Sequence, residues 1–373
     1  MNFDLSEEQQ ALVNSAAAFV KRDSPVSRAR RLRADERGWS QDTWRSFAEL
    51  GWLGLPFPEA VGGLGGRFVD VALLVEQLGT SLVPEPYLAS VLFAGTAIAQ
   101  VAPAVQAKTY LGPMIDGHTS LALALTEPGG RFEPTTAATR AERRGAAYLL
   151  TGQKTWVLNG HVADVIVVSA QTAGGLSLFA VPRDAPGVTL RPVATMDGRR
   201  AAFVELSSAQ GELLGAEGAA PQAVVAAFDL AAAATCAEGA GVMQAALSMT
   251  VDYLGQREQF GVKIGSFQVL QHRAVDMFIE TELAKSMMLY AAIKADEGDA
   301  AERAWAVSQA KVQLAVSGRF VTQQSIQLHG GIGVTDEHDI GLYFKRMHVL
   351  GLSFGDEEYH LARMTSLPQF AAR

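Results

Sequence analysis

Arg257 ends a long alanine-rich stretch and is followed by Glu258-Gln259-Phe260-Gly261. A guanidinium there can form a surface ion pair with Glu258, or two parallel bonds to a diphosphate, which its planar fork fits. About seventy residues on comes Gln327-Leu328-His329-Gly330-Gly331, where paired glycines let backbone approach a phosphate with no Cβ intervening. Thr126-Glu127-Pro128-Gly129-Gly130 ends an apolar run. Its hydroxyl and backbone N–H groups suit the polar edge of a ring that gains negative charge on reduction, or make a plain turn. Gln153-Lys154-Thr155-Trp156-Val157-Leu158-Asn159-Gly160 is a strand entering a turn, and core is the usual fate of a tryptophan in such a place. Glu238 is the only carboxylate between Asp229 and Asp252, set among alanine, glycine and Cys236. A buried carboxyl in such surroundings resists ionisation, which suits a base acting near neutrality; the alternative is an ion pair across a helix or subunit contact. Gly62-Gly63-Leu64-Gly65-Gly66-Arg67 could be mistaken for a phosphate loop, but it follows Pro56 and Pro58 between two helical patterns and reads as a structural loop.

Three kinds of segment must position these residues. Residues 1–118 carry helical patterns broken by glycine and proline. Ser6 with Gln9 makes a capping-box signal, and Ala11, Leu12, Ala16, Phe19 and Val20 lie close to one stripe. Further helices are expected around 43–50, 69–78 and 88–99, with Gly51 and Gly79 as stops. Between 119 and 218, short apolar or alternating runs at 121–125, 148–150, 165–168, 176–181 and 203–206 are separated by turns, predicting a small barrel or sandwich. From 219 to 373, helical segments over about 221–254, 266–297 and 299–328 predict an antiparallel bundle. The order is α+β, with no alternating βαβ units.

The chain has 373 residues, 49% of them hydrophobic, enough for two or three domains. A net charge of -8 argues against nucleic acid as the main partner. The single cysteine, Cys236, permits no intramolecular disulfide and fits a reducing cytoplasm. No apolar run follows a basic head at the N-terminus, and no stretch approaches about eighteen consecutive apolar residues. Neither a secretory signal nor a membrane span is expected. No metal is expected either.

Arg257 to Gly261, then Ile264, Phe267-Gln268, His272 and Asp276-Met277, and later Gln327 to Glu337, stand in an order and spacing that strongly resemble the acyl-CoA dehydrogenase family of flavoproteins. The resemblance runs the length of the chain. It implies an N-terminal helical domain (1–118), a middle β-barrel-like domain (119–218) and a C-terminal four-helix bundle (219–373). It also implies FAD, oxidation of an acyl-CoA to the 2,3-enoyl-CoA, and an electron-transfer flavoprotein as acceptor. By this resemblance Thr126 contacts the flavin and Trp156 packs by its ring system. Leu158 stands where the family has a threonine or serine contacting flavin N5, so only its backbone N–H can do so. Arg257 contacts the FAD pyrophosphate of a neighbouring subunit, Phe260 lies near the ring system, and Gln327, Gly330 and Gly331 receive the ADP half. FAD would then lie across a subunit interface. Asp229 orients ligand or caps its helix, and Asp356 contacts FAD. Arg131-Phe132-Glu133 replaces the family's glycine, serine and aspartate, which puts Phe132 at an altered substrate mouth.

Such an oxidation needs a carboxylate against the substrate α-carbon in a dry pocket. Aligned without gaps from Tyr343-Phe344-Lys345-Arg346, the family's usual glutamate falls at Phe354. The minority position, counted back from Met243-Gln244-Ala245, falls at Ala231. Both usual bases are absent. Glu238, seven residues after Ala231 and so about 700° round the helix, projects from nearly the same face and is the expected base. Phe354 can still offer its backbone N–H to the thioester carbonyl. These departures resemble a bacterial subgroup acting on bulky acyl groups such as steroid side-chain CoA thioesters, some members of which form mixed tetramers of two related chains. A homo-oligomer, dimer or tetramer, is the other expected assembly. The competing readings are a non-catalytic, FAD-contacting subunit of a mixed tetramer, and a flavin oxidase or monooxygenase on the same fold.

Overall fold

The computed structural model of the protein describes residues 5–145 and 147–371; the first four residues of the N-terminal stretch read above lie outside the described residues. Helices α1 (Glu7–Arg22), α2 (Val26–Leu32), α3 (Gln41–Glu49), α4 (Phe68–Thr80), α5 (Thr96–Val101) and α6 (Ala104–Ile115) come first. Strands β1 (Leu121–Ala124), β2 (Arg140–Arg144), β3 (Ala147–Leu158), β4 (Val165–Thr172), β5 (Gly175–Pro182), β6 (Val188–Ala194) and β7 (Arg200–Leu214) follow. The C-terminal part holds α7 (Ala220–Gln256), a hairpin of β8 (Glu258–Gln259) and β9 (Val262–Lys263), α8 (Gln268–Glu297), α9 (Ala300–His329), α10 (Ile340–Leu352), α11 (Glu357–Thr365) and α12 (Pro368–Ala371). The fold is α+β. Two compact units divide the chain: one holds Met1–Leu32, Phe68–Val83 and Ala232–Arg373, the other Arg33–Arg67 and Pro84–Ala231.

In the second unit, β4 pairs with β5, β5 with β7, β7 with β3, β3 with β2, and β2 with β4, so the strands close on themselves. Closure removes the unpaired edges that an open sheet would expose. β1 lies parallel to β4, and β6 lies on β7. The interior is filled by Leu150, Val157, Ile166, Val168, Phe179 and Val204, from alternate positions along each strand. Two strands had no clear sequence signal. β2 reads Arg-Ala-Glu-Arg-Arg and buries only Ala141, and β6 buries no residue fully. The glycine run at 62–66 is a backbone turn, as expected: Gly65 N–H donates to Phe57 O at 2.8 Å and Gly66 N–H to Leu55 O at 2.8 Å. Those donors are therefore not offered to a phosphate.

In the first unit, α1 starts with the capping box foreseen at Ser6 and Gln9. The expected stop at Gly79 is corrected: α4 runs through it to Thr80. A Cβ at Gly79 would lie 2.3 Å from Glu238 O, and one at Gly241 would lie 1.9 Å from Glu76 O. The missing side chains let α4 and α7 touch through their backbones. α7 is long and apolar enough to cross a membrane by length and composition, but 83% of its most apolar window is buried, which makes it a core helix. Asp299 caps α9 by accepting from Ala301 N–H and Glu302 N–H. α8, α10 and α11 all pack on α9.

Candidate active site

Thr126 follows β1, and its carbonyl accepts from Thr155 N–H of β3 at 2.8 Å. The next residue, Glu127, accepts from Lys154 Nζ at 2.7 Å, Thr139 Oγ1 at 2.6 Å, and the N–H groups of Ala138 and Thr139. Burial pushes the Glu127 carboxyl up, but these donors outweigh it and hold it at about 2. Lys154 is fully buried and also donates to Ser169 Oγ at 2.9 Å. Burial lowers its ammonium to about 8 against the pull of Glu127. The Thr126 turn is thus tied to the barrel interior from below. Lys154 points inward on β3, a signal present in the strand alternation that sequence reasoning passed over.

Trp156 is not core. A register shift between Lys154 and Val157 turns it outward, 55% exposed, with φ of 54° and its ring edge-on to Phe203 at 5.4 Å. A bulge that re-aims a side chain, with a non-glycine residue in left-handed backbone, is the kind of strain that collects at functional sites. Leu158 and Phe132 are half-buried. Asp229 is fully buried at the tenth position of α7, so the expected capping role at the helix N-terminus is corrected.

In the first unit, Phe260 and Gly261 form the turn of the β8–β9 hairpin with φ of 54° and 78°. Positive φ at both central residues is what a tight hairpin turn of this hand requires. Phe260 is left 89% exposed. Arg257 stands exposed at the hairpin base, where its carbonyl accepts from Ile264 N–H at 2.8 Å. Among the described residues its guanidinium has no carboxylate partner, Glu258 included. Tyr253, in the last turns of α7, stacks on His329 with centroids 4.5 Å apart, and so brings the hairpin base beside the end of α9. There Gln327 is exposed, and a Cβ on Gly330 or Gly331 would meet nothing within 4 Å. The two glycines border open space within one chain.

At the family's usual base position, Phe354 is buried with φ of 55°. Asp356, expected to contact FAD, caps α11 by accepting from Tyr359 N–H at 2.8 Å. Ala231 is fully buried. Glu238 is buried, and Arg346 takes both carboxylate oxygens: Nε donates to Oε1 at 2.8 Å and Nη2 to Oε2 at 2.7 Å. The ion pair that stood as the alternative for Glu238 is therefore present. A carboxylate held this way acts as a base only by giving up charge-assisted bonds.

The second unit thus presents an outward tryptophan on a β bulge, and the first an arginine without a carboxylate partner among the described residues and an open glycine pair. Three family descriptions match the chain: acyl-CoA dehydrogenase N-terminal domain at residues 6–118, middle domain at 122–209 and C-terminal domain at 221–366. The acyl-CoA dehydrogenase IpdE2 of Mycobacterium tuberculosis is 33% identical, covering 92% of this chain and 91% of that protein. Among solved structures, a variant of the Tcur3481–Tcur3483 steroid ACAD is 30% identical with a TM-score of 0.88, over 98% of this chain and 99% of the other. The ChsE4–ChsE5 complex from Mycobacterium tuberculosis is 27% identical with a TM-score of 0.89, over 100% of both chains. The chain belongs to the acyl-CoA dehydrogenase family, whose members are FAD-dependent oxidoreductases with a sheet domain between two helical ones.

Proposed function

We propose that this chain takes part in the α,β-dehydrogenation of a bulky acyl-CoA, a steroid-derived thioester, in the cytoplasm, with electrons leaving to an electron-transfer flavoprotein. The observation that carries the reading is Trp156, held outward in left-handed backbone on the strand beside the Thr126 turn, in a chain of this family. The substrate class is supported by the likeness to the steroid ACAD and by the substitutions at Phe132 and Phe354. When bound, FAD supplies the hydride acceptor. Thr126 would hold the flavin's polar edge, Trp156 would lie against its ring system, and the backbone N–H of Leu158 would face N5. Arg257, Phe260, Gln327, Gly330 and Gly331 would hold the nucleotide belonging to a neighbouring subunit.

The base is the point on which two readings part. In the first, Glu238 removes the α-proton after loosening from Arg346. In the second, this chain supplies cofactor contacts in a mixed tetramer and a related chain supplies the base. The Glu238–Arg346 pairing favours the second, as does the likeness to complexes named for two chains. The test is to purify the chain alone and together with a related chain, then add steroid-derived and straight-chain acyl-CoA. Yellow protein that bleaches with the steroid thioester supports the dehydrogenase, and bleaching only in the presence of the second chain selects the mixed assembly. A colourless protein under all conditions defeats the proposal. Rapid reoxidation by air with peroxide release would instead mark a flavin oxidase.

A further inference from the structure

We infer that Lys311 and His360 are positioning residues that fix the main chain of residues 353–355 for the acyl thioester, an inference that rests on the dehydrogenase reading above. α10 ends at Leu352 and α11 begins at Glu357, so four residues reverse the chain. The last carbonyls of a helix lose their intrahelical donors and are normally capped by a glycine turn or water. Here a lysine from another helix does it. Lys311 of α9 is almost wholly buried, and its Nζ donates to Leu350 O at 2.8 Å, Gly351 O at 3.4 Å and Ser353 O at 2.7 Å. Three donors meet three carbonyls. Taking an ammonium out of water for neutral partners is expensive, so tying down these particular carbonyls has to matter.

Ser308 lies one turn earlier on the same helix and contacts His360 Nδ1 at 3.1 Å, while His360 Nε2 lies 2.9 Å from Phe354 O. A carbonyl can only accept, so Nε2 carries the proton and the serine hydroxyl donates to Nδ1. Burial, with the Lys311 charge next, lowers His360 to about 3, so the ring stays neutral and keeps this tautomer at working pH. The carbonyls of the two peptides that flank the Phe354 Cα, Ser353 O and Phe354 O, are therefore pinned from α9 and α11. Between them Phe354 is held at φ of 55°, and Gly355 follows at 101°. A Cβ at 355 would lie 2.4 Å from Tyr359 Cδ1 and 2.5 Å from His360 Nε2, so only glycine fits. The side chain at 354 departs from the family, yet its backbone is held by two buried polar side chains. The backbone is the functional element, and its aim depends on groups that never touch substrate.

The experiment uses the full chain, FAD-loaded in the assembly it forms, and compares wild type with His360→Phe and His360→Gln. Amide exchange over 353–356, acyl-CoA dissociation constant and rate of flavin bleaching are measured separately. His360→Phe should speed exchange and slow bleaching by about ten-fold each, with a smaller change in acyl-CoA affinity, and His360→Gln, which keeps a donor, should recover most of both. Bleaching by His360→Phe at the wild-type rate overturns the positioning role. Should that variant not fold, the wild-type pH profile decides. Lys311 faces Cys236, Asp356 and His360, and burial lowers it to about 8. Bleaching should fall above pH 8 as the ammonium loses a donor, and a flat alkaline profile overturns the inference. A wild-type assembly that never bleaches removes the dehydrogenase reading and the thioester role with it, whereas the exchange data still report whether His360 holds the loop.

Discussion

Deleting the Glu238 carboxylate leaves the Arg346 guanidinium buried without its counter-charge and without the two bonds that carboxylate accepts. Glu238→Ala should therefore cost about 3–5 kcal/mol in urea unfolding, and Glu238→Leu combined with Arg346→Met should regain most of it, because an apolar pair needs no counter-charge. Glu238→Gln separates structure from catalysis. It keeps the shape and one acceptor, so near-normal bleaching would take Glu238 out of the base role, whereas loss of bleaching in a folded, yellow protein would restore it. Glu127 makes a second, pH-dependent case. Its carboxyl is held at about 2 in the fold against 4.5 when free, so the unfolded chain takes up the proton first. The stability it contributes is complete above pH 4.5 and is lost as pH falls toward 2. Thermal melts across that window should show a slope that Glu127→Gln reduces; an unchanged slope would mean that the Lys154 bond contributes nothing.

The crossing of α4 and α7 is a matter of element packing, and it offers an internal control. Gly241→Ala would push a Cβ to 1.9 Å from Glu76 O, forcing two helices apart at the segment that carries Glu238. A loss of about 3 kcal/mol is expected, at the upper end for overpacking. Gly255, in the same helix, has nothing within 4 Å of a built Cβ, so Gly255→Ala should stabilise by about 0.5–1 kcal/mol. Equal effects at both positions, measured by urea unfolding, would contradict the close crossing. The same contrast marks what could be read beforehand. The strands at Val165–Thr172 and Gly175–Pro182 were legible because each carries a largely apolar run that is buried in the fold, and the long C-terminal helices because glycines bracket them. Arg140–Arg144 was not, since its backbone is recruited by β3 and β4 while every side chain but that of Ala141 stays in water. Gly79 was misread for a related reason: glycine as a helix stop and glycine as a contact point look identical in one dimension. The cofactor residues were named from family spacing. Lys154 does sit in the buried alternation of β3, whereas Lys311, which holds the carbonyls after α10, belongs to no local pattern and emerges only when distant segments meet.

At the scale of the whole molecule, one chain leaves apolar surface that folding alone does not explain. On α8, Val275, Phe278, Ile279 and Leu283 recur at helical spacing, all exposed, with Phe278 at 54%. Phe260 stands on the preceding hairpin, and the Arg257 guanidinium at its base has no carboxylate partner among the described residues. Contiguous apolar stripes on a folded protein mark contact with another molecule, and an exposed guanidinium without a carboxylate partner among the described residues suits a diphosphate brought by that contact. The two features make separable predictions. Phe278→Glu with Ile279→Lys should convert the assembly to monomers in sedimentation and, with the second chain gone, lower FAD bound per chain. Arg257→Met should leave sedimentation unchanged and still lower FAD retention on dilution, because it removes a cofactor contact without touching the apolar stripe. If monomers made by the first pair keep their full complement of FAD, each chain holds its own cofactor and the shared-site arrangement is wrong. If Arg257→Met retains FAD as tightly as wild type, the guanidinium at the hairpin base serves some other partner.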